Sequence, residues 1–235
     1  MRGCLFVLIV GAALVLGAAW FGAPPIASTA ISSILNGSGY RAASSTVTTT
    51  ASPPLRLLLG HADRVTIDGR DVTWRTFKAG RLQLTLDDVD LFARTAGTIH
   101  GSITAAQLQA SDPSAAPTAD VTIDGTGSRA AATIRVPGTA VDALVRNGVA
   151  KQYGVAVTAT ALLAPNTLRI TTSGLMLEGR LAIDAGGALV LVTRLGSSDL
   201  FRFDPSFPIA LTAVHVKGSD LELTGTLDAE VLLGG

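Results

Sequence analysis

The sequence predicts an α+β fold, predominantly β: a highly curved antiparallel sheet wrapped around one amphipathic helix and preceded by an N-terminal membrane helix. Three observations predict it. Beyond residue 54, apolar residues recur at every second position, the period of a strand with one dry face. One segment, Thr139 to Gln152, keeps helical spacing instead. Cys4 to Ala23 is a run of about 20 apolar residues, enough to cross a bilayer as a helix.

Composition narrows the function classes. Charged residues are 15% of the 235, well below the roughly 25% of a typical soluble domain, and 18 basic residues balance 18 acidic ones. A general electrostatic grip on nucleic acid needs a basic face, so nucleic acid is not expected as a partner. With 48% hydrophobic residues the chain has ample surface to bury, which argues against disorder. Aromatics are few and the single cysteine, Cys4, can make no internal disulfide, so neither a base-stacking platform nor a disulfide scaffold is expected.

Taken in order, residues 1–25 read as a signal anchor or signal peptide. No charge occurs between Arg2 and Arg41, and Arg2 with the α-amino group favours a cytoplasmic start. Trp20 and Phe21 stand where an interfacial aromatic belt belongs. The apolar stretch is longer than that of a cleaved signal, and Pro24 follows the small residue Ala23, so an uncleaved anchor is the preferred reading. The expected location is therefore the cell membrane, single-pass, with the C-terminal domain outside; secretion after cleavage is the alternative. Residues 26–52 form a Ser/Thr-rich spacer with a short helix around Ile31, Ile34 and Leu35, and residues 53–235 the folded domain.

Leu55 to Gly60, after two prolines, predicts a helical turn. Strands follow at Val65 with Ile67, Val72 with Trp74, and Leu82 to Leu86. There the parity changes at Asp87-Asp88 before Val89 and Leu91, as a bulge would cause. Further alternating runs hold Ile99 and Ile103, Val121 and Ile123, and Ile134 and Val136. Later ones hold Leu168 and Ile170, Leu175 to Ile183, and Ser219 to Val231. Asp68-Gly69, Asp124-Gly125 and Gly186-Gly187 supply turn chemistry. The helix carries a capping signal in Thr139 with Asp142, an apolar stripe of Val141, Leu144, Val145 and Val149, and Gly154 as its stop.

No sequence signature of an enzyme is present. Gly-x-Ser-x-Gly, His-Glu-x-x-His, a phosphate loop and a cysteine cluster are all missing. His61, His100 and His215 are scattered. Asp87, Asp88 and Asp90 lack the glycine and distal glutamate of a calcium loop, so no metal or cofactor is expected.

Ser52 to Val65, with its Pro-containing start, Leu-rich turn, glycine, aspartate and first strand, resembles the opening of the LmeA family of envelope phospholipid-binding proteins. The helix at Thr139 to Gln152 and Phe207-Pro208-Ile209 leading into Gly218 to Leu223 are similar to that family as well. The resemblance covers roughly Pro53 to Leu233. It implies an exported, non-enzymatic protein that binds phospholipid, with a role in envelope glycolipid assembly or maintenance. The fold it implies is similar to tubular lipid-binding proteins, with an acyl-chain groove. On that reading the candidate lipid-binding residues are Leu84, Leu86, Val141, Leu144, Val145, Leu177, Leu181 and Leu223. Arg70, Arg75 and Arg81, within a local excess of cations between residues 56 and 81, would attract anionic head groups at a membrane surface. The alternative is a structural or protein-interaction module of the envelope with a fully packed core, whose protein partners the sequence does not name.

Overall fold

The structure is a computed structural model that describes residues 28–29, 31–33, 35–37, 39–74, 77–93, 95–107, 117–194, 196–203 and 209–228. The expected N-terminal membrane helix and Arg75 lie outside the described residues. Among those described, no helix is long and apolar enough to cross a membrane.

The described strands form two antiparallel sheets. The first contains β1 (Tyr40–Arg41), β2 (Ser44–Thr50), β3 (His61–Trp74), β4 (Phe77–Asp90), β5 (Thr95–Gln107), β6 (Thr118–Gly127) and β7 (Arg129–Val136). The chain then leaves through Pro137 into helix α1 (Gly138–Tyr153) and builds the second sheet. That sheet comprises β8 (Val157–Leu163), β9 (Thr167–Thr172), β10 (Met176–Ile183), β11 (Leu189–Thr193) and β12 (Gly196–Phe201). It returns to the first sheet as β13 (Ile209–Lys217) and β14 (Asp220–Asp228). The nine-stranded order is β1-β3-β4-β5-β6-β7-β14-β13, with β2 also on β3; the five-stranded order is β12-β11-β10-β9-β8. One curved sheet was expected from the alternation. It is divided because the excursion between β7 and β13 forms a meander of its own, and α1 packs against β8, β12 and β14 instead of lying inside the larger sheet.

Strands β3 and β4 are 14 residues each, and β3 continues through Gly69 without a turn. Asp68-Gly69 and Asp124-Gly125, expected as turns, are in mid-strand, whereas Gly186-Gly187 does belong to the β10–β11 turn. A Cβ on Gly69 would stand 2.1 Å from the Tyr40 hydroxyl, and one on Gly125 would stand 2.3 Å from Ala130 Cα. These glycines permit close approach, the second role of glycine in a strand. The β6–β7 turn falls instead at Gly127, with φ of 73°.

The larger sheet bends along two transverse creases. Asp71 of β3 and Ala105 of β5 take left-handed backbone at φ 49° and 52°. Gly80 of β4 lies between them, its Cβ position 3.3 Å from that of Ala105. Asp88 of β4 (φ 50°) faces Gly97 of β5 in the same manner, at 3.0 Å. At each crease the buried series advances by three residues: Gly69 to Val72, Ala79 to Leu82, Ala62 to Val65, Leu86 to Val89 and Ala96 to Ile99. The parity change at Asp87-Asp88 is one member of such a row. The β3–β4 register is unbroken there because both strands step together, while β6 does not, so a register shift falls between β5 and β6. A left-handed non-glycine residue costs roughly 1–2 kcal/mol, least for aspartate. The glycine opposite removes the side chain that would otherwise obstruct the bend.

Helix α1 starts after Pro137, whose fixed φ suits a helix entry, and no side chain caps it. Asp142, expected in a capping box, faces elsewhere. It accepts from Arg146 Nε at 2.6 Å and Thr160 Oγ1 at 2.7 Å, and Arg146 donates to the carbonyls of Val157 and Thr158. This clasp fastens α1 to β8. At the other end Gly154, at φ 65°, stops the helix as expected. Val141, Leu144, Val145 and Val149 are buried in a core that joins both sheets. The two sheets also meet where Val216 N–H donates to the Pro165 carbonyl at 2.7 Å.

Several aspartates stabilise the fold as anions. Hydrogen bonds from Arg81 to Asp68, Arg64 to Asp87, the Ala93 amide to Asp90, Arg146 to Asp142 and Arg135 to Asp220 hold these carboxyls below the usual range. A depressed folded-state pKa contributes stability above the unfolded value of about 3.9 and loses it as pH falls through the folded value. The urea midpoint should therefore be level near neutrality and drop below about pH 4. Equilibrium unfolding across that range checks this, and a midpoint unchanged in acid would refute it.

Candidate functional site

The curl brings the tip of the β3–β4 hairpin over the far edge of the larger sheet. Val72 and Trp74 from β3, with Phe77, Ala79, Leu82 and Leu84 from β4, come to face Ile209 and Leu227 across an empty space. Ile103 and Ile123 complete its wall. As the structure stands the cavity volume is about 20 Å³, room for little more than one water molecule, so a tail enters only if the lining side chains move apart. It is a narrow slot and not an open tunnel.

Every side chain lining the slot is apolar. Water placed there finds no hydrogen-bond partner, and a dry apolar space is the environment in which hydrocarbon is favoured. Each methylene moved into it from water gains about 0.8 kcal/mol. Trp74 and Phe77 are each 8% exposed, against 2% for Val72 and Leu84. Tyr40 stacks edge-on to Trp74, with ring centroids 6.4 Å apart, and its hydroxyl lies 3.3 Å from Ser45 Oγ. That bracing holds the indole at the hairpin tip.

Of the eight candidate lipid-binding residues, Leu84 lines this slot. Leu86 and Leu223 are buried in the same sheet's core, Val141, Leu144 and Val145 on α1, and Leu181 in the second sheet; Leu177 is half-buried against that core. Alternation identifies which residues point inward. It does not identify which inward residues border a gap, so it does not mark Trp74, Phe77, Ile209 and Leu227. The flanking position of Trp74 and Phe77, one on each side of a hairpin turn, was the available signal.

Three of the six cations between residues 56 and 81 are paired with carboxylates. Arg81 makes a two-pronged contact with Asp68 at 3.0 and 2.7 Å, Arg56 pairs with Asp63 at 2.7 Å, and Arg64 with Asp87 at 2.6 Å. Arg70 is exposed beside Arg81 on the neighbouring strand and forms no ion pair among the described residues. Surface pairs of this kind contribute little individually, but they reduce the field available to an anionic head group.

Among the described residues the histidines stand apart from one another, each with its own carboxylate where one is near. His100 contacts Asp124, and His61 is 3.7 Å from Asp90. Asp87, Asp88 and Asp90 are divided between an arginine, a crease and a turn. Among the described residues no group of three or more potential metal ligands occurs.

A protein-family model described as LmeA-like phospholipid-binding matches residues 18–226 of the chain. No curated protein and no solved structure matches it.

Proposed function

Because the chain belongs to the LmeA-like phospholipid-binding family, we propose that it is a non-enzymatic phospholipid-binding protein of the cell envelope, holding acyl chain in the slot beneath the β3–β4 hairpin. The observation that carries this reading is the slot's wholly apolar lining, which offers nothing to a polar substrate. Binding then needs no cofactor: a tail parts the leucines, and the head group stays outside at the rim, where Arg70 is exposed on the same strand as Trp74. The charge-free run at residues 4–23 supports a tether in the membrane with the domain on its outer side, where envelope glycolipids are assembled and maintained.

The test is direct. The full chain, purified in mild detergent, is analysed by native mass spectrometry and then offered vesicles containing a fluorescent phospholipid. A phospholipid mass adduct, or saturable uptake of the fluorescent lipid, is expected. A chain free of lipid that also takes up none would refute the proposal and favour the envelope interaction module. The burial of most inward leucines in a packed core is the observation that supports that second reading.

A further inference from the structure

The geometry points to a second lipid contact, distinct from the slot: Leu58, Leu59 and Phe92 form an apolar tip that inserts into the surface of a phospholipid bilayer. This inference rests on the membrane-tethered reading of the chain. The three side chains are 54%, 66% and 78% exposed. Single exposed hydrophobics are ordinary, but these three share one corner. The 3-10 helix Pro54–Leu59 ends at Gly60, whose carbonyl accepts from the Leu91 amide at 2.8 Å, and the Phe92 ring crosses the face of Gly60 where a Cβ would stand 2.5 Å from it.

The tip is held outward by its own framework. Leu57 is buried as an anchor, and Gly60 closes the helix through the Leu57 carbonyl. Asp90 Oδ1 accepts from the amides of Phe92 and Ala93 at 2.9 and 2.8 Å, fixing the β4–β5 turn. Arg56 neutralises Asp63 beside it. These bonds pin the backbone on both segments of the tip.

The occupant is identified by where the chain arrives. Ser28 Oγ donates to Thr49 Oγ1 at 3.3 Å, and Thr49 pairs with Val65 near the start of β3, the end of the sheet that carries the tip. Ala23, the last residue of the apolar run, precedes Ser28 by five positions. Five extended residues span at most about 18 Å. An anchor in the bilayer therefore holds this end of the sheet close to the lipid surface, where leucine and phenylalanine side chains gain by entering the acyl boundary.

The experiment uses the full chain with Cys4→Ser, reconstituted into vesicles of equal parts phosphatidylcholine and phosphatidylglycerol. An environment-sensitive fluorophore is attached in turn at Leu59→Cys, Phe92→Cys and Leu175→Cys. Leu175, 54% exposed in the β9–β10 turn, is an exposed apolar control elsewhere on the surface. Blue-shifted emission at positions 59 and 92 that brominated lipid quenches, with water-like emission at 175, is the expected result. Water-like emission at 59 and 92, or quenching at 175 equal to theirs, would overturn the inference. Lipid uptake in the slot is measured separately on the same samples. Loss of uptake with quenching retained refutes the proposed function alone, and the reverse pattern refutes the tip alone. Circular dichroism of each labelled chain verifies folding.

Discussion

Replacing Ala79 by tryptophan should abolish phospholipid capture, lowering the bound fraction by at least about tenfold while the fold survives. Ala79 faces Val72 across the hairpin and lines the slot, so an indole there occupies the volume a tail would take. Overpacking a filled interior costs typically 1–3 kcal/mol, which a domain of ordinary stability tolerates. The opposite change, Phe77→Ala, widens the mouth and should retain or increase uptake, although it costs about 3–5 kcal/mol of stability. The pair separates binding from stability because both variants are destabilised and only one is blocked. Native mass spectrometry and a thermal melt on each read the result; full lipid uptake by the Ala79→Trp chain would place the acyl chain elsewhere.

The second large effect is structural. Gly125→Val should prevent the domain from folding. A Cβ there would be 2.3 Å from Ala130 Cα, 2.6 Å from its Cβ and 2.7 Å from the Arg129 carbonyl, so the obstruction is mainly backbone. Strand β7 cannot retreat, because it is bonded to β6 on one side and β14 on the other. A loss above about 4 kcal/mol is expected, against roughly 1 kcal/mol for Gly127→Ala, where the space is open and only the positive φ opposes a side chain. Two melting curves decide it. A Gly125→Val chain that melts within a few degrees of the parent would mean that β6 and β7 are not packed this closely.

The same glycines explain what was and was not legible beforehand. Period-two patterning located β14, because Leu221, Leu223 and Leu227 are buried while Glu222 and Thr226 are not. The helix was legible from its stripe and from Gly154. Asp-Gly pairs were misleading, since the residues that make a tight turn also relieve a crowded strand, and only the neighbouring strand distinguishes the two. Leu175 keeps the phase of Leu177 and Leu181 yet is exposed in a turn, with its carbonyl bonded to the Thr172 amide. The division into two sheets depends on β7 pairing with β14, a choice of partner that no local pattern encodes. The slot is less legible still, because it arises from curvature set by Asp71, Asp88 and Ala105 and not from the residues that line it.

The position of β14 between β7 and β13 has a kinetic consequence. Arg135 and Asp220, bonded across the β7–β14 seam at 2.7 Å, are 85 residues apart in the chain. Closing a loop of that length costs roughly 4 kcal/mol of chain entropy beyond a constant, before any contact on the seam forms. For a chain threaded outward from its N-terminus, β3 to β7 can assemble as successive hairpins while β7 waits as an open edge. An open edge is a template for pairing with other chains until its partner arrives. For such a chain, the interval between emergence of β7 and of β14 is the period in which the β7 edge stands open to mispairing.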